Sequence, residues 1–397
     1  MTQDPVIIVG GGPTGLSAAL FLVNQGIRVL VLEGTSDGAN DPRAATFHPP
    51  TLEMFAASGV TDELHRLGIK VPRWQTRDRT HGLVAEFDLG VLAEDTPFPY
   101  RLQCEQHKLV AILRERLSDE AGCEIRYGEP VTEVVQTEGH VLAVTTAGVH
   151  AGEYLIGADG GRSVVRKSQG IGFDGFTYPE RFLVITNTYD FEAEGYALSC
   201  YVADPDEWSA LFKVPGEGPP GVWRVVFPTS PDQEEAVLLS HDYARERLDR
   251  LLPRPKPYTI IHTNLYNVHQ RVASTYRKGR VLLIGDAAHV NNPLGGIGMN
   301  FGIHDAKNLA EKLGRVICGE ASPDLLDQYD RQRRSVASNF LQTMTIDNKR
   351  MLEEKDPRAA AARRESLRRT ASDPVLARAH LLRTSMIEAL RAAEAIA

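Results

Sequence analysis

The chain has 397 residues, 42% of them hydrophobic and 24% charged, with a formal net charge of −8 at pH 7. That length exceeds what one hydrophobic core usually fills, so two units, or one large unit carrying an insertion, are expected. The charge gives no reason to expect nucleic acid or an acidic membrane as partner; Cys104, Cys123, Cys200 and Cys318 contain no CxxC pair, which argues against a zinc site or disulfide scaffold and for a reducing, cytoplasmic compartment.

The first apolar run, "VIIVGGGPTGLSAALFLV" at residues 6–23, is interrupted by glycines and a proline and lacks a basic flank, so it reads as a strand and a helix, not a membrane span. Continued through "NQGIRVLVLE", the pattern is strand, glycine turn, helix ended at Gly26, and a second strand closing on Glu33, a βαβ unit. Gly10, Gly12 and Gly15 have GxGxxG spacing: one for the tight turn, one for close approach of a pyrophosphate, one for helix–strand packing. The helix N-terminus then offers free N–H groups to the phosphates, and Glu33, 18 positions after Gly15, would accept hydrogen bonds from ribose hydroxyls. These features agree on a dinucleotide without choosing between FAD and a nicotinamide. Gly170, Gly172 and Gly175 repeat the spacing, but they follow the helix-like "RSVVRKSQ" and lead to the apolar "RFLVITNTYDF", the reverse order, so one dinucleotide fold is expected.

"YLIGADGGRSVVRKSQG" reads as a strand ending in Asp159, a turn at Gly160, and a helix carrying Ser163 and Arg166; taken alone it equally describes a strand-to-helix turn capped by Asp159. Residues 181–268 then change to short runs rich in aromatic and branched residues, divided by Pro and Gly, which read as an inserted sheet. Tyr201, Trp223, Arg224 and Tyr266 are candidates to line a pocket on it, although strand aromatics more often fill a core. His48, His81, His289 and His304 lack HxH or HxxxH spacing, which argues against a metal.

In "RKGRVLLIGDAAH" a buried strand ends at Gly285 and Asp286, placing an acid where ligands bind in open α/β sheets; Asp286 either accepts from sugar or ribityl hydroxyls or caps a helix beginning at "AAH". "NNPLGGIGMNFGIHDAKNLAEKLGRVI" sets Gly295, Gly296 and Gly298 before an amphipathic helix that starts near Asn300. A loop without side chains lets backbone N–H groups touch a flat ring, and the helix end stabilises negative charge such as a reduced flavin carries. The two glycine clusters then serve two ends of one FAD, Gly10–Gly15 the pyrophosphate and Gly295–Asn300 the isoalloxazine. From about residue 323 the chain turns helical. Val375, Ala379, Leu382, Met386, Leu390 and Ala393 form an apolar stripe, for docking on the FAD-binding unit or on a second copy.

With these stretches in view, the chain resembles the class A flavoprotein monooxygenases, the para-hydroxybenzoate hydroxylase family, from about residue 5 to residue 345. The likeness rests on the initial glycines, on Asp159 and Gly160 with Ser163 and Arg166, and on Gly285 and Asp286 followed by Pro293 and Gly295–Asn300. It departs from the commonest family form at Ile297, where glutamine is frequent. The resemblance implies an α/β fold: a Rossmann-like FAD-binding domain (1–73, 101–180 and 269–330), an inserted β-sheet substrate domain (74–100 and 181–268) covering the flavin ring, and C-terminal helices (331–397). It implies non-covalent FAD held by Gly10, Gly12, Pro13, Thr14 and Gly15, by Glu33 and Gly34, by Arg43 over the phosphates and Gln103 at the ribityl chain, and by Asp159, Gly160 and Arg166. Arg43 and Gln103 also admit a surface or capping role. Gly285, Asp286, Pro293, Gly295, Gly296, Gly298, Met299 and Asn300 complete the set, and Pro293, Gly295, Gly296, Tyr201 and Arg224 are the residues expected at the catalytic face.

The implied reaction is reduction of FAD by NADH or NADPH, formation of a flavin hydroperoxide with O2, and hydroxylation of a phenolic or related aromatic ring, by a monomer or homodimer. A related reductase or oxidase, or a non-catalytic FAD-fold binding protein, is the alternative. The tryptophan-rich GWxWxIP pattern of flavin halogenases is absent, since Trp74, Trp208 and Trp223 stand apart.

Overall fold

The computed structural model describes residues 4–36 and 44–397. Strands Val6–Val9, Val29–Glu33, Leu155–Gly157 and Val281–Leu283 are buried at every position, as apolar runs covered on both faces must be. They form a six-stranded sheet in the order Arg277–Lys278, Val281–Leu283, Leu155–Gly157, Val6–Val9, Val29–Glu33, Cys123–Tyr127. Its pairings are parallel except at the Arg277–Lys278 edge. Helix Pro13–Val23 and helix Gly298–Ile317 pack against each other beside it. This is the Rossmann-like α/β fold expected.

The second sheet has eight strands, in the order His289–Val290, Ile260–Ala273, Phe173–Asn187, Val222–Pro228, Ser209–Val214, Ser199–Ala203, Arg73–Asp78, Gly82–Asp88. Alternation along its strands makes two faces. Leu183, Ile185, Val225 and Phe227 pack under the helix His241–Leu251, while Phe182, Tyr201, Ala210, Val226 and Val268 share a core with Leu294, Leu352 and Leu381. The helices Glu235–Leu238 and His241–Leu251 lie inside a stretch that reads as sheet throughout.

Two expectations need correction. Strands Phe173–Asn187 and Ile260–Ala273 pair along most of their length and run through the expected borders at 180 and 268. Gly175 permits this: its φ is +140°, and a Cβ there would stand 2.0 Å from the Gln270 carbonyl oxygen, so the second GxGxxG places a glycine within a strand. The C-terminal stripe also fails. Met386, at φ +66°, breaks the register between helices Pro374–Thr384 and Ile387–Glu394. Val375 is 77% exposed, and the buried apolar set is Ala377, Leu381, Met386, Ile387, Ala389 and Ala393. Leu381 and Ile387 join the core on the second sheet; Met386, Ala389 and Ala393 join that of the first.

Asp305, on the helix Gly298–Ile317, is fully buried between His289 Nε2 at 2.6 Å and Arg333 Nε at 2.6 Å. Asp305→Ala is expected to lower unfolding free energy by about 3–5 kcal/mol, because it strands a buried guanidinium; denaturant titration measures this, and a loss under about 1 kcal/mol would show the ion pair to be dispensable. Nearby, burial and then the charge of Arg333 push the His304 imidazole down to about 3 from an ordinary value of 6.5. Below pH 6.5 the unfolded chain takes up a proton that the folded chain refuses, so this contribution to stability is complete above 6.5 and is lost as pH falls towards 3. Melting temperatures across that range should fall with pH, less steeply in His304→Phe; parallel curves would contradict the assignment.

Candidate active site

Both glycine clusters open onto one cleft of ≈ 1730 Å³, part of it continuous with solvent. Its floor carries Gly12, Pro13 and Thr14 from the first turn and Pro293, Gly296, Ile297, Gly298 and Met299 from the last; Ala158, Gly160 and Asp286 lie between, and Gln103 stands at the side. Its roof is the second sheet, through Val184, Phe212, Arg224, Val226 and Tyr266.

The three glycines of the first turn do different work. Gly10 has φ +107°, and a Cβ there would lie 2.5 Å from the Ala158 carbonyl oxygen. At Gly15 a Cβ would meet the Gly10 carbonyl oxygen at 2.0 Å. At Gly12 it would meet no protein atom within 4 Å, so that glycine keeps the cleft open for a ligand. Helix Pro13–Val23 makes its first backbone bond from Leu16 N–H to Gly12, and helix Gly298–Ile317 makes its first from Phe301 N–H to Ile297. The N–H groups of Thr14 and Gly15, and of Gly298, Met299 and Asn300, therefore have no partner within their helices. Thr14 wedges the two turns together: a Cβ at Gly285 would lie 2.9 Å from its Oγ1, and one at Gly302 2.6 Å from it.

Glu33 closes its strand as expected, yet its carboxylate also braces the turn. Oε2 accepts the Gly11 N–H at 2.6 Å, and Oε1 accepts the Thr35 N–H and hydroxyl, each at 2.8 Å. A carboxylate has about four lone-pair sites, so room remains for a sugar hydroxyl. Gly34 is exposed beside it, and Arg43 lies outside the described residues. Asp286 is exposed in a single turn, Gly285–Ala287, followed by the short strand His289–Val290. No helix starts at "AAH", so the capping alternative for Asp286 fails.

Asp159 and Arg166 are engaged within the protein. Asp159 Oδ2 accepts the N–H groups of Val164 and Val165 at 2.7 and 3.1 Å, and Oδ1 accepts the Ser163 hydroxyl at 2.5 Å, so the acid starts the helix Val164–Ser168. Arg166 donates to the carbonyls of Ala287 and Gly161, each at 2.8 Å, and lies 3.7 Å from the Phe173 ring centroid. It ties the turn after Asp159 to the turn carrying Asp286; of this motif, Gly160 reaches the cleft.

Asn300 is a brace too. Its side-chain oxygen accepts the His48 N–H at 3.0 Å and the Thr51 hydroxyl at 2.7 Å, and its Nδ2 donates to the carbonyls of Thr46 and Gly296, each at 2.8 Å. His48 Nε2 meets the Gly295 carbonyl at 3.0 Å. Sequence reasoning missed Thr46 and Thr51 and gave His48 no role, because their partners lie some 250 residues away. Gln103 accepts the Thr46 hydroxyl at 3.0 Å, while its buried Nε2 has no partner. That orphaned donor, the open Gly12 and the unpaired helix N–H groups fit an anionic dinucleotide carrying a flat, acceptor-rich ring.

On the roof, Arg224 and Tyr266 line the cleft. Trp223 points to the other face, where it is 1% exposed against Phe191 at 5.3 Å, and is not a pocket residue. Tyr201 reaches the glycine loop from behind: its hydroxyl oxygen accepts the Gly295 N–H at 3.1 Å. Pro293 lines the cleft and its carbonyl accepts the Gly296 N–H at 3.0 Å. Among the described residues no three His, Cys, Asp or Glu side chains form a metal-binding group.

Asp286→Ala is expected to weaken FAD binding by about 1–3 kcal/mol, with a smaller change in the melting temperature of the FAD-free protein than Glu33→Ala brings. Glu33→Ala should lower both, since it also frees the Gly11 and Thr35 N–H groups. Flavin fluorescence titration with parallel melting curves separates the two. Equal behaviour of both variants would remove the distinction between ligand contact and brace.

Residues 3–344 match the family described as an FAD binding domain. The para-nitrophenol 4-monooxygenase of Pseudomonas sp. strain WBC-3 is 37% identical over 367 residues, covering 90% of this chain and 89% of its own length. The 6-hydroxy-3-succinoylpyridine 3-monooxygenase HspB of Pseudomonas putida strain DSM 28022 / S16 is 35% identical over 364 residues, covering 89% of this chain and 90% of its own. The crystal structure of p-nitrophenol 4-monooxygenase PnpA from Pseudomonas putida DLL-E4 superimposes with a TM-score of 0.90 at 35% identity, over 98% of each chain. A cleft built for one extended dinucleotide, on a chain matched nearly end to end by such enzymes, places the protein in the FAD-dependent aromatic monooxygenases of class A.

Proposed function

We propose that the protein hydroxylates a phenol-like ring, using NADH or NADPH and O2, with FAD held non-covalently in the cleft. One observation carries this reading: the two glycine turns and the face of the second sheet enclose a single cleft. In it, Gly10–Gly15 with Pro13 and Thr14 would hold the pyrophosphate, Glu33 and Asp286 would accept from sugar hydroxyls, and Gln103 would donate to the ligand from the side. Gly296, Gly298 and Met299 would lie along the flavin ring, with Pro293 and Arg224 at its reactive side. Both named relatives act on rings that, by their names, carry a hydroxyl and a second polar substituent, and this supports a phenol-like substrate here.

Bound FAD supplies the electron transfer from NAD(P)H and the activation of O2. The chain supplies the surroundings. The N-terminus of helix Gly298–Ile317 would offer the ring N–H groups that have no partner within the helix, together with its positive dipole end, and so favour negative charge there. The sheet face presents Val184, Phe212 and Val226, which keep water from the reacting atoms. Tyr201, His48 and Asn300 hold the glycine loop in place from outside the cleft, so it is pre-set before a ligand arrives.

Among the described residues no helix is long and apolar enough to cross a membrane, and the four cysteines are free; these observations support a cytoplasmic enzyme, acting as a monomer or homodimer. With labelled O2 and a turned-over phenol, one labelled oxygen should enter the product for each NAD(P)H consumed. Label arriving from water, or oxidation of NAD(P)H that yields only peroxide with every phenol tried, would overturn the assignment in favour of an oxidase or reductase.

A further inference from the structure

A second cavity lies behind the glycine loop, and its wall holds a cation for which no counter-ion stands among the described residues. It spans ≈ 790 Å³, part of it continuous with solvent, and is bounded by Trp74 and Thr76, by Tyr201, by Gly295 and Ile297, and by C-terminal side chains including Leu367 and His380. Ile297 lines both this chamber and the flavin cleft, so one turn of backbone divides them. Strand Arg101–Gln103 serves both spaces: residues two apart share a face, and Gln103 borders the cleft while Arg101 borders the chamber.

Arg101 is 2% exposed, and its guanidinium lies 5.0 Å from the Trp74 ring centroid. Its Nε has no hydrogen-bond partner. The side chain within bonding reach of it is the Tyr201 hydroxyl. The other groups that feel its charge are His48 and His380, both held neutral: burial first, then Arg101, lowers each, His380 to about 4. Burial likewise keeps Tyr201 protonated. Asp78, at the chamber's edge, is paired with Arg364 at 3.1 Å and His81 at 2.8 Å, and among the described residues no carboxylate faces Arg101. Three further buried atoms on lining residues lack partners: Trp74 Nε1, Thr76 Oγ1 and His380 Nε2. Trp74, Phe87 and His380 form an aromatic stack, with centroids 4.7 and 4.5 Å apart. A buried cation with no counter-charge is costly, and so are orphaned donors beside it; both are relieved by a ligand that brings an anionic oxygen on a flat ring.

We propose that this chamber binds an aromatic anion, with Arg101 as the residue that recognises its charged oxygen and the Trp74–His380 aromatic wall packing against one side of its ring. The inference rests on the reading of the protein as an aromatic monooxygenase and assigns a holding site for an aromatic anion beside the reacting cleft, not within it. A phenolate and an aromatic carboxylate share this chemistry.

The test uses the FAD-loaded enzyme and three probes: 4-nitrophenol, whose ionised form is coloured, 4-nitrobenzoate, and neutral nitrobenzene. Bound 4-nitrophenol should ionise at a lower pH than free 4-nitrophenol and quench tryptophan fluorescence, with the quenching lost in Trp74→Phe. Arg101→Gln should weaken the phenolate by roughly thirty-fold or more and nitrobenzene little, with FAD content unchanged and Arg101→Lys recovering part of the loss. If 4-nitrobenzoate alone shows the Arg101 dependence, the chamber takes carboxylates. Leu367→Trp, which fills the chamber and keeps Arg101, should abolish binding of both anions and guards against a misfolded Arg101 variant. Unchanged affinities in Arg101→Gln and Leu367→Trp, or a loss produced by Arg224→Gln instead, would overturn the proposal and seat the anion in the cleft. Binding is read without turnover, so an enzyme that binds nitrophenolate at Arg101 but hydroxylates nothing would defeat the functional reading and leave this one standing.

Discussion

The carboxylate of Asp305 fixes the pieces from which the cleft is made. Its Oδ2 accepts the Gly285 N–H at 3.1 Å and meets His289 at 2.6 Å, while Oδ1 accepts from Arg333, whose Nη2 also donates to the Phe301 carbonyl at 3.3 Å. One side chain thus sets the turn carrying Asp286, the strand His289–Val290 and the helix Leu325–Val336 relative to the helix Gly298–Ile317, whose first turn lines the cleft. Burial would raise its pKa, but the charges of His289 and Arg333 outweigh that and hold it below the ordinary carboxylate value. It therefore stays ionised and accepts from every neighbour.

Around this anchor the glycine loop is fastened from several sides. Tyr201 takes the Gly295 N–H, His48 the Gly295 carbonyl, Asn300 the Gly296 carbonyl, and Asn348 the Leu294 carbonyl at 3.1 Å. Glycine at 295 and 296, with φ of +110° and +66°, gives the backbone a path that side-chain-bearing residues resist. The result is a thin partition, rigid through its outside contacts, with a cofactor space on one side and, on the other, a chamber holding an arginine that no carboxylate among the described residues faces.

How much of this could be read in advance follows from distance along the chain. Gly10, Gly12, Gly15 and Glu33 were legible because a βαβ turn is completed within 28 residues, and the loop from Pro293 to Asn300 because it opens its own helix. The Rossmann-like sheet and the inserted sheet followed from apolar runs and turn residues. Arg101 carried no local signal: its burial depends on Trp74 and Tyr201 from other strands and on helices near the C-terminus. Trp223 and Arg224 are adjacent, and alternation sends them to opposite faces, but composition cannot say which face is which. The stripe at residues 375–393 assumed one unbroken helix, and the left-handed residue Met386 shifts its phase. Asp159 and Arg166 belong to a motif recognised by spacing, yet their atoms hold backbone in place, a division of labour that spacing does not encode.

The order of strands in the first sheet also bears on how the molecule comes into being. Val6–Val9 lies near the middle, with Val29–Glu33 on one side and Leu155–Gly157, then Val281–Leu283, on the other. A chain emerging from the ribosome can pair its first two strands at once, but the far side of the first strand waits for about 150 more residues and the sheet for 280. Until then an apolar edge stands open, and closing it requires long loops to come together, which is slow and exposes the edge to wrong partners. The cleft that would take the phosphates joins Gly12 and Thr14 of the first turn to Ala158 and Asp286 from strands made much later; it is thus absent from the early chain, so cofactor capture belongs to a late stage of synthesis.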